Sequence, residues 1–526
     1  MKIKKLLIKN YKSIEKLEID NLNDLNIYIG KNDAGKSNII KALDLLFNAN
    51  PQTNWQQPKI TTENELETIY DKEIKYLFFK KDEPEAEITA YIEVKKQELE
   101  KLGLQLDLKN NYELVFSRKI CTENNTTKVS IEFIRLDKKI ILRTSDEKER
   151  FLTKKGNYTN NYEEFIGKNL LLELQNQFIL VPANRNIIRD PTPNSEKNQV
   201  EQYIKDSLIK LANSEDKDKK LLFEQFKIFI DNISPLIEEV QSVEHEGKIH
   251  DLKFLSGEKT EIPLSIIGAG NNELLLLLHE IIVSGGKILA IEEPEIHLHP
   301  EAERKLYRMM KEFSSTTQMF IITHSPVMVE PNQIKNLYRI VKEGEKTVIY
   351  CMKQEDYIDT ERLKQELNSE NCEMFFADKV LLVEGISDKI MMEGLIEKYS
   401  KSTKEIKVVA SFSKDNFEIY SQLLKIFKIP YAIMTDLDSL KGHYQIKPIY
   451  ELLRRKQFKK RYERIDYLKT KNIFVLSRGA LEDSYPSKYK RHLSKPLDAL
   501  YALNNLTDED YCSKQMKDLR EVVEAL

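Results

Sequence analysis

The sequence is poor in cysteine and has no surplus of either charge. Cys121, Cys351, Cys372 and Cys512 are scattered through 526 residues without a CxxC pair. That excludes a disulfide-built scaffold and a zinc ribbon, and it suits a reducing compartment. With 82 basic and 85 acidic residues the net charge is −3, so a uniformly basic coat for nucleic acid is excluded, although a local basic face is not. Long apolar runs are missing as well. The greasiest stretch, Leu274 to Val283, is broken by His279 and Glu280 and is too short to cross a bilayer. Behind the basic N-terminus, Leu6-Leu7-Ile8 is too short for the apolar part of an export signal. The expectation is a cytoplasmic protein with no membrane partner, free of internal repeats and low-complexity tracts.

What is present is 41% hydrophobic and 32% charged, a globular balance with room for two to four domains. Residues 1–50 read as strand, strand, Gly-rich loop and helix, the helix marked by Ile39, Leu43, Leu46 and Phe47. Alternating segments between 85 and 145 predict antiparallel strands. The polar stretch 190–245 predicts a helical insertion whose apolar positions do not sustain heptads, so it is not a long coiled coil. Short buried strands are predicted at Lys287–Ile291 and Met319–Thr323. A second α/β series follows, with strands at Val380–Val383, Lys407–Ala410, Tyr431–Met434 and Ile473–Leu476.

Two constellations carry chemistry. Gly30-Lys31-Asn32-Asp33-Ala34-Gly35-Lys36-Ser37 fits G-x-x-x-x-G-K-[ST] between a strand and a helix, with Asn38 following. Such a loop wraps backbone N–H groups around phosphates, Lys36 reaches the β/γ oxygens and Ser37 ligates Mg²⁺. The carboxylates such a loop requires are supplied by Glu292 and Glu293 at a strand end, the first for the metal and the second for the attacking water, with His324 ending the next strand near the γ-phosphate. Together these resemble an ABC-type ATPase head of the branch shared with SMC proteins and RecF. Its signature loop matches Gly268-Ala269-Gly270, with Ala269 where the family has serine and Glu292 where most members have aspartate. His297 and His299 alternate without a third ligand nearby and read as packing or loop residues rather than a metal site.

In the second constellation Val380–Val383 leads into Glu384-Gly385, with Asp388 at the start of a helix, and Tyr431–Thr435 leads into Asp436-Leu437-Asp438. Acids at the C-terminal edge of neighbouring parallel strands sit where such sheets place their sites, and clustered carboxylates imply Mg²⁺ or Mn²⁺. Glu482 is a candidate to complete a second metal position. This ordered set resembles the Toprim domain. Between 441 and 495 there are 16 basic residues against five acidic ones, interleaved with Tyr450, Phe458, Tyr462 and Tyr467. Arg454, Arg455, Lys459 and Lys460 in that run are candidate DNA-phosphate contacts.

An ABC-type head followed by a Toprim domain is similar to the layout of the OLD (overcoming lysogenization defect) nuclease family, most of all its members in bacterial anti-phage systems such as Gabija and retrons. The resemblance implies an α/β chain: an ATPase head with a helical dimerisation insertion, then a Rossmann-like parallel sheet. The boundaries expected are 1–189 and 246–352 for the head, 190–245 for the insertion, 353–372 for a linker and 373–526 for the Toprim domain. It implies an ATP-regulated DNA endonuclease with two divalent ions at the Toprim acids and one with the nucleotide. It also implies a C-terminal lysine that assists the transition state. Lys495 is the best positional match, with Lys488 and Lys490 as competitors. The implied partners are DNA, further copies of the chain through head and insertion, and a helicase or a retron reverse transcriptase with its nucleic acid. The alternative is an ATP-switched DNA clamp of the SMC/RecF type without nuclease activity, which the joint presence of Glu384, Asp388, Asp436 and Asp438 disfavours. A primase or topoisomerase is disfavoured by the absence of a zinc-binding segment.

Overall fold

The computed structural model describes residues 1–48, 63–65, 77–80, 82–104, 109–123, 126–145, 148–161, 164–183, 196–233, 237–262, 269–441, 446–491 and 494–526. They form two compact units: residues 1–328 with 340–349, and residues 329–339 with 350–526.

The first unit contains two large sheets. Chain-sequential hairpins build a nine-stranded antiparallel sheet in which Lys2–Tyr11 lies between Ile14–Ile19 and Glu85–Lys95, and the strands up to Tyr158–Thr159 follow in order. The second sheet has six strands, in the order Phe178–Val181, Ile288–Glu292, Gln318–Ile322, Leu25–Ile29, Leu337–Glu343 and Lys346–Cys351. Its first four strands are parallel and mostly apolar and buried, as strands covered on both faces are. The helix Lys36–Asn48 joins the two layers. Its Phe47 stacks on Phe178 of the parallel sheet at 5.6 Å and meets Phe116 of the antiparallel sheet edge-on at 6.0 Å. The buried Arg118 Nε donates to the Leu46 carbonyl near the end of that helix. The insertion forms two helices, Glu196–Ala212 and Lys217–Ile233, followed by a two-stranded ribbon, Glu239–His245 with Lys248–Leu255.

The second unit is built on a four-stranded parallel sheet in the order Ile406–Ala410, Lys379–Val383, Tyr431–Thr435 and Ile473–Val475. All four strands fall where the apolar runs predict them. Residues 353–372, expected as a linker, carry the short helices Thr360–Glu366 and Ser369–Cys372. The helix Ile386–Tyr399 packs against Lys495–Asn505, and glycine permits the approach: a Cβ on Gly394 would fall 2.1 Å from a methyl of Leu503. Because Ile386–Tyr399 starts directly behind Glu384-Gly385, this packing carries the helix that begins at Lys495 alongside it.

Candidate functional site

In the first unit the phosphate-type loop sits at the C-terminal end of Leu25–Ile29. Gly30 has φ +145° and Gly35 φ +97°, values that side chains rarely adopt. The space is closed as well: a Cβ on Gly30 would lie 2.2 Å from the Ile340 carbonyl oxygen, and one on Gly35 2.1 Å from Thr347 Oγ1. Lys36 is buried and folds back into its own loop, its Nζ donating to the Gly30 and Lys31 carbonyls at 2.8 Å each. Burial pulls its pKa down to about 8, against the opposing pull of Glu293, Glu295 and Asp33. A buried cation surrounded by turned-in backbone fits an anionic phosphate group. Asn32 is exposed on the loop. Asn38 lies beneath it, its Nδ2 donating to Ser13 Oγ, which is hydrogen-bonded to Thr347 Oγ1 at 2.7 Å.

The strand order places the other nucleotide candidates on the same edge. Glu292 ends the strand paired to Gln318–Ile322, which in turn pairs with the loop's own strand. Glu293 has φ +47°, and its Oε1 is 3.8 Å from His324 Nε2. Burial and the Lys36 charge hold the His324 imidazole below its usual pKa, opposed by Glu293. Glu295, two residues beyond Glu293, positions this histidine. Its Oε1 accepts from Thr323 Oγ1 at 2.9 Å and from the His324 backbone N–H at 2.6 Å. Gly268 lies outside the described residues, and Ala269 and Gly270 open the helix Ala269–Val283. The two alternating histidines have local partners: His297 Nδ1 lies 3.0 Å from Glu273 Oε2, and His299 caps the helix Pro300–Phe313 by accepting from the Glu301 N–H.

In the second unit Glu384 follows the central strand Lys379–Val383 and Asp436 follows its neighbour Tyr431–Thr435, so two acids distant in sequence end side by side. Glu384 Oε1 accepts from Thr435 Oγ1 at 2.5 Å and from the Asp436 backbone N–H at 3.0 Å. One carboxylate oxygen from each of Glu384, Asp436 and Asp438 lies within 4.8 Å of the others. Asp388 and Glu482 are not in that group. Asp388 Oδ2 accepts the Gly385 N–H at 3.0 Å and closes the first turn of its helix, while Glu482 pairs with Lys495 at 3.2 Å.

The electrostatics tie these residues into one neighbourhood. Burial first, then Glu384, Asp388 and Asp438, push the Asp436 carboxyl up to about 7. Burial, with Glu384 and Glu482, pushes Asp388 up to about 6. The Glu482 hydrogen bond, helped by Asp436 and Asp388, raises the Lys495 ammonium above its usual value. Lys488 pairs with Asp510 at 2.9 Å and Lys490 with Asp483 at 3.5 Å, so of the three candidate lysines Lys495 faces the acids.

Two contacts escaped the sequence reading. Thr435 holds Glu384, and its signal was its place directly before Asp436. Lys414, from the loop after Ile406–Ala410, hydrogen-bonds Asp438 Oδ1 and lies 3.6 Å from Glu384 Oε2; no motif pointed to it. An ammonium is thus a stand-in cation among three convergent carboxylates, and this all-oxygen donor set fits Mg²⁺ or Mn²⁺. Beyond Asp438 the chain forms the helices Lys447–Leu453 and Arg461–Lys469. Arg454, Arg455, Lys459 and Lys460 are exposed between and beside them, with Tyr450 and Tyr462 exposed on the same segment.

Comparison with known proteins agrees with this division. Residues 1–329 match the family described as AAA ATPase domain. Residues 375–438 match the TOPRIM domain of the overcoming lysogenization defect protein-like type. The chain is 25% identical to Endonuclease GajA of Bacillus cereus (strain VD045), over 86% of this chain and 78% of that protein. It is 21% identical to Endonuclease GajA of Bacillus cereus (strain HuB5-5), over 90% of this chain and 82% of that one. The OLD nuclease of Thermus scotoductus is 31% identical over 28% of this chain and 30% of its own length.

Proposed function

The chain belongs to the AAA ATPase domain family and joins that domain to an OLD-like TOPRIM domain, and from this premise we propose that it is an ATP-binding, divalent-metal-dependent DNA endonuclease of anti-phage defence. The observation that carries the reading is the convergence of Glu384, Asp436 and Asp438 at one sheet edge, in a domain of the nuclease-associated type. These three would hold one ion, and Asp388, which neighbours Asp436, with Glu482, which neighbours Asp388, are the candidates for a second. Bound there, divalent ions would supply a polarised water and charge relief at the leaving oxygen of a phosphodiester.

The chain's own residues do the rest. Thr435 and the Asp436 N–H fix Glu384. Lys495, at the first turn of its helix and facing the acids, offers a positive charge to the phosphate. The basic segment around Arg454, Arg455, Lys459 and Lys460 binds the DNA backbone without reading its sequence, and the exposed tyrosines offer stacking faces. In the ATPase unit Gly30, Gly35, Lys36 and Ser37 would hold the triphosphate with its Mg²⁺, and Glu292, Glu293 and His324, on the same sheet edge, would serve the metal and the attacking water. Phosphodiester hydrolysis is downhill, so ATP is not needed to drive it. The head would differ in state with and without nucleotide, and that difference would regulate cleavage in an assembly of several copies.

Incubating supercoiled plasmid with the purified protein and Mn²⁺, with and without EDTA, tests the reading. Nicking is expected with metal alone and is expected to vanish in Asp436→Asn. Equal nicking with EDTA overturns the metal-dependent reading. Metal-dependent DNA binding without any nicking would leave the clamp.

A further inference from the structure

The loop Ser411–Asp415, between the strand Ile406–Ala410 and the helix Asn416–Ile426, is unusually well anchored for a surface turn. Ser411 N–H donates to the Val383 carbonyl at 2.9 Å, and the Ser411 carbonyl accepts from Asn416 Nδ2 at 2.8 Å. Phe412 turns the chain with φ +54° while 67% exposed. A bulky residue in the left-handed region is an outlier that the surroundings must enforce. The result is that Lys414 points back over the sheet edge. Its ammonium, on a half-buried side chain, hydrogen-bonds Asp438 Oδ1 and lies 3.6 Å from Glu384 Oε2. These are two of the three carboxylates that converge within 4.8 Å. Clustered carboxylates without a cation repel one another, and Lys414 supplies that cation from within the chain.

Resting on the metal-site reading above, we propose that Lys414 is a positioning residue that holds Glu384 and Asp438 at ligand spacing before metal arrives and is displaced from them when a divalent ion enters. An ammonium and a divalent ion cannot both sit against the same two carboxylates without strong repulsion. Lysine, a compact charge on a four-carbon stem, can swing away at little steric cost. Loading the site is therefore an exchange of one cation for another. Metal affinity reflects the difference between two cations and not the attraction of bare acids.

Mn²⁺ titration of the full-length protein without DNA, followed by the loss of the free-ion EPR signal, tests this. Lys414→Met removes the competing charge and is expected to bind Mn²⁺ on the order of tenfold tighter, the scale of about one like-charge contact at a partly exposed site. Lys414→Arg keeps the charge and is expected to stay at the wild-type affinity. In thermal melts the metal-free Lys414→Met protein is expected to lose stability that saturating Mn²⁺ restores, a recovery that a purely structural lysine would not show. Unchanged or weaker Mn²⁺ binding by Lys414→Met overturns the proposal, as does a melting deficit that Mn²⁺ leaves in place. Asp436→Asn is the separate control: if it binds Mn²⁺ like the wild type, the metal-site reading itself fails, whatever Lys414 does.

Discussion

Burial and neighbouring carboxylates push Asp436 up to about 7 and Asp388 up to about 6, against about 3.9 for an unperturbed aspartate. Between about pH 4 and 7 these two carboxyls of the metal-free protein therefore hold protons that they lose in the unfolded chain. Their contribution to stability falls as pH rises through that window and levels off above it. A divalent ion competes with those protons, so Mn²⁺ affinity is expected to climb between pH 6 and 8 with measurable proton release on binding. Calorimetric titration in two buffers of different ionisation enthalpy checks both. A flat affinity over that range would mean that Asp436 is not a ligand whose proton the metal displaces. Thr435 gives a second test at this scale. Its hydroxyl donates to Glu384 Oε1, and residues that orient a metal ligand typically contribute 10- to 100-fold in affinity or activity. Thr435→Val is expected to lower Mn²⁺ affinity by roughly that range, while Thr435→Ser retains most of it.

The exposed basic segment from Lys447 to Lys469 is an element with little apolar surface to bury, and its charges are predicted to track phosphates. Neutralising Arg454, Arg455, Lys459 and Lys460 together should weaken binding alike for unrelated duplexes. It should also flatten the salt dependence by roughly 0.9 log unit per lost contact, as read from fluorescence anisotropy at several salt concentrations. An unchanged slope would make the segment a solvated face. The helix beginning at Lys495 tests packing. Gly394 lets Ile386–Tyr399 approach it, so Gly394→Val overfills that contact at a cost of about 1–3 kcal/mol. The variant is expected to melt lower and, by moving Lys495 away from Glu482, to cut DNA more slowly at saturating metal.

At the scale of the whole molecule, the nucleotide candidates and the acid cluster belong to different compact units, so their ligands should be separable. Lys36→Ala is expected to lose the ATP-induced rise in melting temperature and keep the Mn²⁺-induced rise and some cleavage of naked DNA. Asp436→Ala is expected to do the reverse. A Lys36→Ala protein that is folded, assembled and wholly unable to cut under every nucleotide condition would make ATP a requirement for cleavage and not a regulator.

Local chemistry determined the parts of this protein that a short stretch of sequence encodes. The glycines and lysine of residues 30–37 and the acids of 384–388 and 436–438 each sit where a strand gives way to a turn, and apolar runs with their periods mark such places without any long-range information. Strand order is different, because it depends on which strands pair across the fold. Only the tertiary structure put Lys379–Val383 between Ile406–Ala410 and Tyr431–Thr435. That pairing set Glu384 beside the Asp436 N–H 52 residues away and brought Lys414 to Glu384 and Asp438. In the sequence Lys414 is one of 82 basic residues, with nothing to distinguish it. Asp388 shows both sides: its place in the motif marks it as a candidate ligand, and only the fold shows that its carboxylate also closes the first turn of its helix. Lys495 was separated from Lys488 and Lys490 on the same grounds, since their carboxylate partners are set by packing between helices and turns that no local pattern specifies.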